Sequence, residues 1–429
     1  MSVDKTAEET AARTYTSWAD CYEVPGPDLF DKVRAFAAYG KTVIEDDHYF
    51  YRWPLSSANT TRVKISHPFR GGETREMIML GSNSYLGLTN DPRVVEASVA
   101  AARKYGYGAG SVPLYSGTTE LHVKLEKRLA AWYRCEDAVL FPSGYSANVG
   151  AISALVRKPD SIVNDLFNHA SIYDGCRLSG ATLHTFGHRN VRHLDRLLPK
   201  VMGPDHGTLV VTDGVFSMEG DLAPLDELVT VCRKHGVRLM LDDSHALGVM
   251  GPHGRGTAEH FGVEGQIDLT VGTLSKALGG IGGCLAGSHE VIEYVRFYAR
   301  SFFFSGSIPT PSVAGALAIL DIIEKDSERR EDLWRCIRYM REGLISMGFD
   351  IGNTESAIIP IMVGNESKLK PFLHDMLDAG IFMNFVAFPA VPRQRCRLRM
   401  SMMAGHSKAD LDYVLETLGR LGRKYEIIS

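Results

Sequence analysis

No CxxC pair occurs in this sequence. Its seven cysteines, Cys21, Cys135, Cys176, Cys232, Cys284, Cys336 and Cys396, are odd in number and scattered. That argues against a disulfide framework or a zinc knuckle and leads us to expect a reducing, cytoplasmic setting. Long apolar runs are also missing. None approaches the roughly 20 residues needed to cross a bilayer, so no transmembrane segment is expected. The first residues carry Asp4, Glu8 and Glu9 where a secretory leader has a basic start and an apolar core. Charge of one sign is lacking too: 47 Lys and Arg face 51 Asp and Glu, a net −4. No basic field follows, so neither nucleic acid nor an anionic membrane is an implied partner. Internal repeats and low-complexity linkers are absent. His184 and His188 have a metal-ligand spacing but no third ligand and no HExxH context, and no metal centre is expected. The Gly-rich run from Gly251 to Thr257 lacks the lysine and spacing of a P-loop and reads as a tight loop.

What remains is ordinary globular composition, 45% apolar and 23% charged over 429 residues. That length implies two or three domains with ample core. Residues 1–75 read as an irregular N-terminal arm with short helices and helical periodicity around Leu29, Val33 and Phe36. Residues 76–305 alternate short apolar runs with helical stretches. Leu121, Leu125, Leu129 and Trp132 share a helix face after a Thr118-Thr119 cap. Strands are expected at 138–141, 161–164, 208–212, 237–242 and 269–271. Such alternation predicts an α/β domain with a mostly parallel sheet. Residues 306–429 read as a smaller α+β unit. Its helices are expected over 315–324, 333–347 and 407 to about 424, and its strands over 357–363 and 396–402.

Five segments stand out chemically. The apolar strand Leu239-Met240-Leu241 ends in Asp242-Asp243-Ser244-His245, and ligands of parallel sheets sit at strand carboxyl ends. An acid there suits a pyridinium nitrogen; a turn-capping aspartate is the competing reading, and the segment alone leaves both open. In Gly272-Thr273-Leu274-Ser275-Lys276-Ala277-Leu278-Gly279-Gly280 a lysine follows a buried strand among small residues. Thr273 and Ser275 are phosphate donors, and an amine with a lowered pKa can form an imine; a solvated lysine is the alternative. Ser143-Gly144-Tyr145 lies between a strand and a helix, where free N–H groups suit a phosphate, although glycine is common in such turns. His169, in Asn168-His169-Ala170-Ser171, is placed to stack on an aromatic cofactor or to serve as an ordinary structural histidine. In Arg397-Leu398-Arg399 the two arginines share a strand face, and one guanidinium suits a substrate carboxylate; a surface ion pair is the default.

Taken in order, these segments resemble the α-oxoamine synthase family of fold-type I pyridoxal-phosphate enzymes. The strings are GSNSYLGL (81–88), FPSGYSAN (141–148), NHASIYDG (168–175), TDGVFSMEGDLAPL (212–225), LDDSHALGVMGPHGRG (241–256), GTLSKALGG (272–280) and FSGSIP (304–309). The resemblance implies an aspartate-aminotransferase-like α/β fold with a smaller C-terminal α+β domain. It implies pyridoxal 5'-phosphate carried as a Schiff base on Lys276, with Asp242 on the pyridinium, His245 on the ring hydroxyl and His169 stacked on the ring. Ser217 would sit near the ring hydroxyl and imine. Ser143, Gly144, Tyr145 and Thr273 would hold the phosphate, with Ser305 reaching in from a second subunit of a homodimer. Asn83 and Arg399 would hold the substrate carboxylate.

The implied reaction is a decarboxylating condensation of a small L-amino acid (serine, alanine or glycine) with an acyl thioester. Tyr49–Arg52 and the run RLSGATLHTF are similar to serine palmitoyltransferases, which favours acyl-CoA. A carrier-protein-bound or polyketide acyl chain is the second expectation. The spacing of Gly110–Thr118 is that of 2-amino-3-ketobutyrate CoA ligase, a glycine C-acetyltransferase, but Pro113 replaces an arginine of that enzyme. Ala387 stands where some bacterial serine palmitoyltransferases have an extra arginine. A non-catalytic subunit is disfavoured, because such partners usually lose the lysine that is present here as Lys276.

Overall fold

The computed structural model describes residues 15–429 except 70 and 73. The acidic start at Asp4, Glu8 and Glu9 lies outside the described residues. Thirteen strands, β1–β13 in chain order, form three sheets among the described residues. β1 (Arg62–Ser66) and β2 (Thr74–Met79) make an antiparallel hairpin. The large sheet contains β3 (Asp137–Phe141), β4 (Ser161–Asp165), β5 (Thr182–Phe186), β6 (Thr208–Asp213), β7 (Arg238–Asp242), β8 (Leu269–Thr273) and β9 (Gly283–Gly287), in the order 3-9-8-7-6-4-5. Only β9 runs antiparallel to its neighbours. Strands β4, β8 and β9 are buried along their whole length. This is why they read as unbroken apolar or small-residue runs rather than as alternating ones. β10 (Ile358–Met362), β12 (Asn384–Val386) and β13 (Arg397–Ser401) form the C-terminal sheet, with β13 central. The short β11 (Ile381–Phe382) pairs parallel with β2, so the N-terminal and C-terminal segments share one sheet.

The architecture is the expected fold-type I arrangement, a mostly parallel seven-stranded sheet with a small C-terminal sheet. Three local expectations need correction. The N-terminal segment is not irregular: it holds a 15-residue helix, Asp31–Glu45, and the β1–β2 hairpin. On that helix Val33 and Phe36 are exposed, as is Leu29 just before it. The packed stripe is Ala35, Tyr39 and Val43, because Trp18 and Cys21 of the preceding turn lie on that side. β5 escaped the sequence reading because its TLHTF is half exposed at the sheet edge. β9 escaped because GCLAG has low strand propensity and is held by burial between β3 and β8.

One core runs through all parts of the chain, from Phe50 and Ile65 through Leu86, Leu274 and Leu320 to Leu398 and Leu418. The helix Thr310–Lys325 packs on the helix Pro92–Tyr105 and ties the C-terminal part to the first. No helix among the described residues is long and apolar enough to cross a membrane. The consequence for chemistry is directional. β3, β4, β6, β7 and β8 all end at one edge, and their next residues are Pro142, Leu166, Gly214, Asp243 and Leu274.

Candidate active site

At this edge β3 turns through Pro142-Ser143 into the helix Gly144–Leu155. Ser143 caps the helix: its Oγ accepts from Ser146 N at 3.1 Å, and Ser146 Oγ accepts from Ser143 N at 3.0 Å. First-turn N–H groups have no partner within a helix, so those of Gly144 and Tyr145 are available to an anion. Side-chain hydroxyls gather on the same spot. A Cβ at Gly144 would lie 3.0 Å from Thr273 Cβ, 3.1 Å from its Oγ1 and 3.6 Å from Ser244 Oγ. Thr273 Oγ1 is itself 2.9 Å from Ser275 Oγ. Strand β9 closes the back: a Cβ at Gly283 would lie 2.5 Å from the Ser143 carbonyl oxygen and 2.6 Å from Gly144 N. Tyr145 is exposed and its hydroxyl donates to Asp174, so what it offers a phosphate is its N–H.

Two carboxylates end adjacent strands. Asp242 of β7 faces Asp213 of β6 in register, and both are buried. Asn148, one turn into the capped helix, donates to Asp242 Oδ2 at 2.6 Å, and Ser244 N donates to Oδ1 at 3.0 Å. Asn148 Nδ2 also reaches Ser171 Oγ at 2.9 Å, which in turn lies 2.7 Å from His169 Nδ1. A chain of bonds therefore joins the acid to the histidine that caps the helix Ala170–Ser179. The His169 ring is exposed on this edge. Burial pushes the Asp213 carboxyl well up, with Asp242 adding to the rise, and its Oδ1 has no partner. Asp243 is the other half of the pair in sequence but not in space. Successive strand-end side chains point opposite ways, and Asp243 accepts from Thr257 N at 3.0 Å and Thr257 Oγ1 at 2.5 Å.

Lys276 sits three residues past β8. Burial pushes its ammonium down to about 8; Asp242 and Asp213 pull the other way, and Arg399 adds to the fall. These groups thus share one electrostatic neighbourhood although four separate segments supply them. Burial also holds the His245 imidazole well below its usual value, helped by Lys276 and Arg399. It is therefore neutral near pH 7, and its Nδ1 lies 2.6 Å from Tyr85 Oη.

The opposite wall comes from the chain's two ends. Arg399 on β13 is buried and donates through Nη1 and Nη2 to Asn83 Oδ1 at 3.3 and 3.4 Å, and through Nε to the Ser217 carbonyl at 2.6 Å. Asn83 Oδ1 also accepts from Ser401 Oγ at 3.1 Å. Arg397, its strand-face neighbour, is fully buried on Glu219 at 2.8 Å and the Met218 carbonyl at 2.9 Å. Arg399 is therefore the arginine placed at the site. Ser305 follows the short helix Arg300–Phe303, and no hydrogen bond among the described residues links it to Thr273 or Ser275 of its own chain.

Four contributors were not singled out from sequence: Asp213, Asn148, Ser244 and Tyr85. Asp213 had the signal that marked Asp242, an acid closing an apolar run. Tyr85 had none, since its partner His245 is 160 positions away.

Comparison with known proteins places this geometry. The chain matches the aminotransferase class I and II family model over residues 75–418. It is 43% identical over 354 residues to the 8-amino-7-oxononanoate synthase of Symbiobacterium thermophilum, covering 82% of this chain and 90% of that one. The chain belongs to the α-oxoamine synthase family. It is also 41% identical over 393 residues to 4-hydroxy-2,2'-bipyrrole-5-methanol synthase PigH of a Serratia species, covering 92% of this chain but 60% of that longer protein. Among solved structures, a serine palmitoyltransferase from S. paucimobilis with bound pyridoxal phosphate and myriocin superposes with a TM-score of 0.88 at 34% identity, over 94% of this chain and all of that one. As an α-oxoamine synthase the chain is a pyridoxal-phosphate-dependent acyltransferase of the condensing type. Its residues fit that cofactor: a glycine-lined N–H and hydroxyl cradle, an orphaned buried carboxyl oxygen on Asp213 beside Asp242, and a half-buried amine with a depressed pKa.

Proposed function

We propose that the chain condenses a small L-amino acid with an acyl thioester and releases carbon dioxide and free thiol. The supporting observation is geometric: Lys276 leaves β8 beside β7 and β6, whose ends carry Asp242 and Asp213 in register, and the buried Arg399, bound to Asn83, reaches the Ser217 carbonyl just past β6. In this reading the Gly144 and Tyr145 N–H groups, Ser143, Thr273 and Ser244 hold the cofactor phosphate, with Ser305 of a second copy completing the cradle. Asp242 holds a proton on the ring nitrogen, oriented by Asn148. His169 covers the ring face, and His245 with Ser217 serves the ring hydroxyl. When bound, pyridoxal phosphate supplies an electron sink for charge developing at the amino acid's α-carbon. Arg399 and Asn83 hold the substrate carboxylate and so fix which bond lies over the ring. Lys276, with its pKa near 8, has a substantial neutral fraction at cellular pH, takes the α-proton as general base and later returns it.

Serine with a fatty acyl-CoA is the first substrate pair, supported by the likeness to serine palmitoyltransferases, one of them 40% identical over 381 residues. A second reading is an acyl chain delivered on a carrier protein. Exposed aromatics at Tyr294, Phe297, Tyr298 and Phe304, next to Ser305, support a homodimer with shared sites. The test is thiol and carbon dioxide release from serine, alanine and glycine, each with acetyl-CoA, long acyl-CoA and acyl carrier protein. Release with none of these pairs overturns the reading, and the donor that works chooses between its two forms.

A further inference from the structure

A cavity of about 940 Å³ lies where the helix Glu120–Trp132 ends, the helix Thr310–Lys325 ends, the helix Glu328–Ser346 begins and the loop Gly251–Arg255 folds over. None of the residues assigned above to the active site lines it. Its wall carries five cationic side chains, Arg134, Arg255, Lys325, Arg330 and Arg338, against two carboxylates, Glu324 and Glu331. Arg128 pairs with Glu324 at 2.9 Å, whereas Glu331 keeps its charge and accepts from the neutral Ser327 hydroxyl at 2.5 Å. Two cations are neutralised by acids of the Glu259–Glu264 segment. Arg134 meets Glu264 at 3.2 Å, and Arg255 meets Glu259 at 2.6 Å and Glu264 at 2.7 Å.

Three cations remain. Lys325 and Arg338 are exposed and have no ion pair among the described residues. Arg330 is only 8% exposed. It donates Nη2 to the Pro252 carbonyl at 2.5 Å and leaves Nη1 buried with no acceptor. Glu259 and Glu331 offset part of the Arg330 charge, but its Nη1 donor stays buried without an acceptor, and an incoming phosphate oxygen would satisfy it. Trp132 Nε1 is a second buried donor without a partner, and Trp334 adds apolar wall. The volume exceeds what a simple ion needs and falls within the range of small-molecule sites.

We propose that this cavity binds a phosphate ester of nucleotide size, its phosphates held by Lys325, Arg330 and Arg338 and its ring against Trp334. Two cations without ion pairs, together with a buried guanidinium N–H that lacks an acceptor, suit a multiply charged phosphate better than a single carboxylate. The test is calorimetric titration of the cofactor-loaded enzyme, whose active-site phosphate cradle is already filled, with adenosine triphosphate, inorganic phosphate and adenosine. Saturable binding of the triphosphate, competed by inorganic phosphate and absent with adenosine, is expected. The exposed double variant K325Q/R338Q should bind about tenfold or more weakly, and R330Q more weakly still. No binding to the wild type overturns the site. So does an affinity unchanged in K325Q/R338Q, or adenosine binding as tightly as the triphosphate.

Discussion

The two walls of the active site are built in different ways. The cofactor wall is made of strand ends: Ser143, Asp213, Asp242 and Thr273 each lie at or within two residues of a strand terminus of one sheet. Its hydrogen bonds pass through a buried, capped helix from Asp242 to Asn148 to Ser171 to His169. The wall proposed to hold the substrate carboxylate is made of chain ends. Asn83 and Arg399, 316 positions apart, meet because β13 packs on the segment after β2, where Ser401 N donates to the Leu80 carbonyl at 2.7 Å. Wall one is set by the sheet and its register. Wall two depends on how the C-terminal sheet sits on the rest, so in the proposed reading a shift there should alter substrate grip and leave the cofactor in place.

Substitutions should separate the two walls. The largest effect belongs to Lys276→Ala: we expect borohydride to fix no cofactor and turnover to fall by about 10³-fold or more, read by mass spectrometry and thiol release. Asp242→Asn should lower kcat by roughly 10²-fold while the affinity for the amino acid moves little. In the apo-protein, cofactor capture should quicken as pH rises through about 8, where the Lys276 amine becomes neutral. Asp242→Asn should move that midpoint lower, because Asp242 raises it. Arg399→Lys should spare cofactor loading and raise the amino-acid KM about tenfold or more. If it instead removes the cofactor, the walls are not separable.

The smallest effect concerns a support of the first wall. His188 bridges Asp165 at 3.1 Å and Asp221 at 2.9 Å and stacks on Phe167 at 4.3 Å. Burial opposes its charge, but the two carboxylates outweigh burial and lift it from 6.5 to about 9. A histidine raised in the folded state stabilises fully below its unfolded pKa. That contribution fades as pH rises through the folded one. Wild-type stability should therefore fall between about pH 6.5 and 9. His188→Gln should be less stable by about 1–3 kcal/mol at pH 6 and show a flatter profile in urea titrations.

The same contrast governs what could be read from sequence. Strand-end chemistry is local: an apolar run closing in Asp242, or a serine and glycine opening a helix at 143–144, is visible within ten residues. The paired use of Asp242 and Asp213 is a matter of register, which one strand's sequence does not carry. Arg399 could be distinguished from Arg397 only once Glu219 was seen to occupy the latter. His188 stood out as one of a pair of histidines, yet its partners are carboxylates on other strands and loops, not a metal. The apolar stripe at Leu29, Val33 and Phe36 marked a helix correctly but not its buried side, because periodicity gives a stripe and not the side that packs; the Phe36 ring does meet a neighbour, Trp18 at 4.6 Å.

The strand that runs against its neighbours carries a last lesson. With no side chain at position 283, the amide rim proposed to receive the vitamin's phosphate rests directly on bare backbone. A single added methyl there has nowhere to go except into that rim. In the proposed reading, coenzyme retention would thus depend on the absence of one carbon atom at a position that performs no chemistry itself.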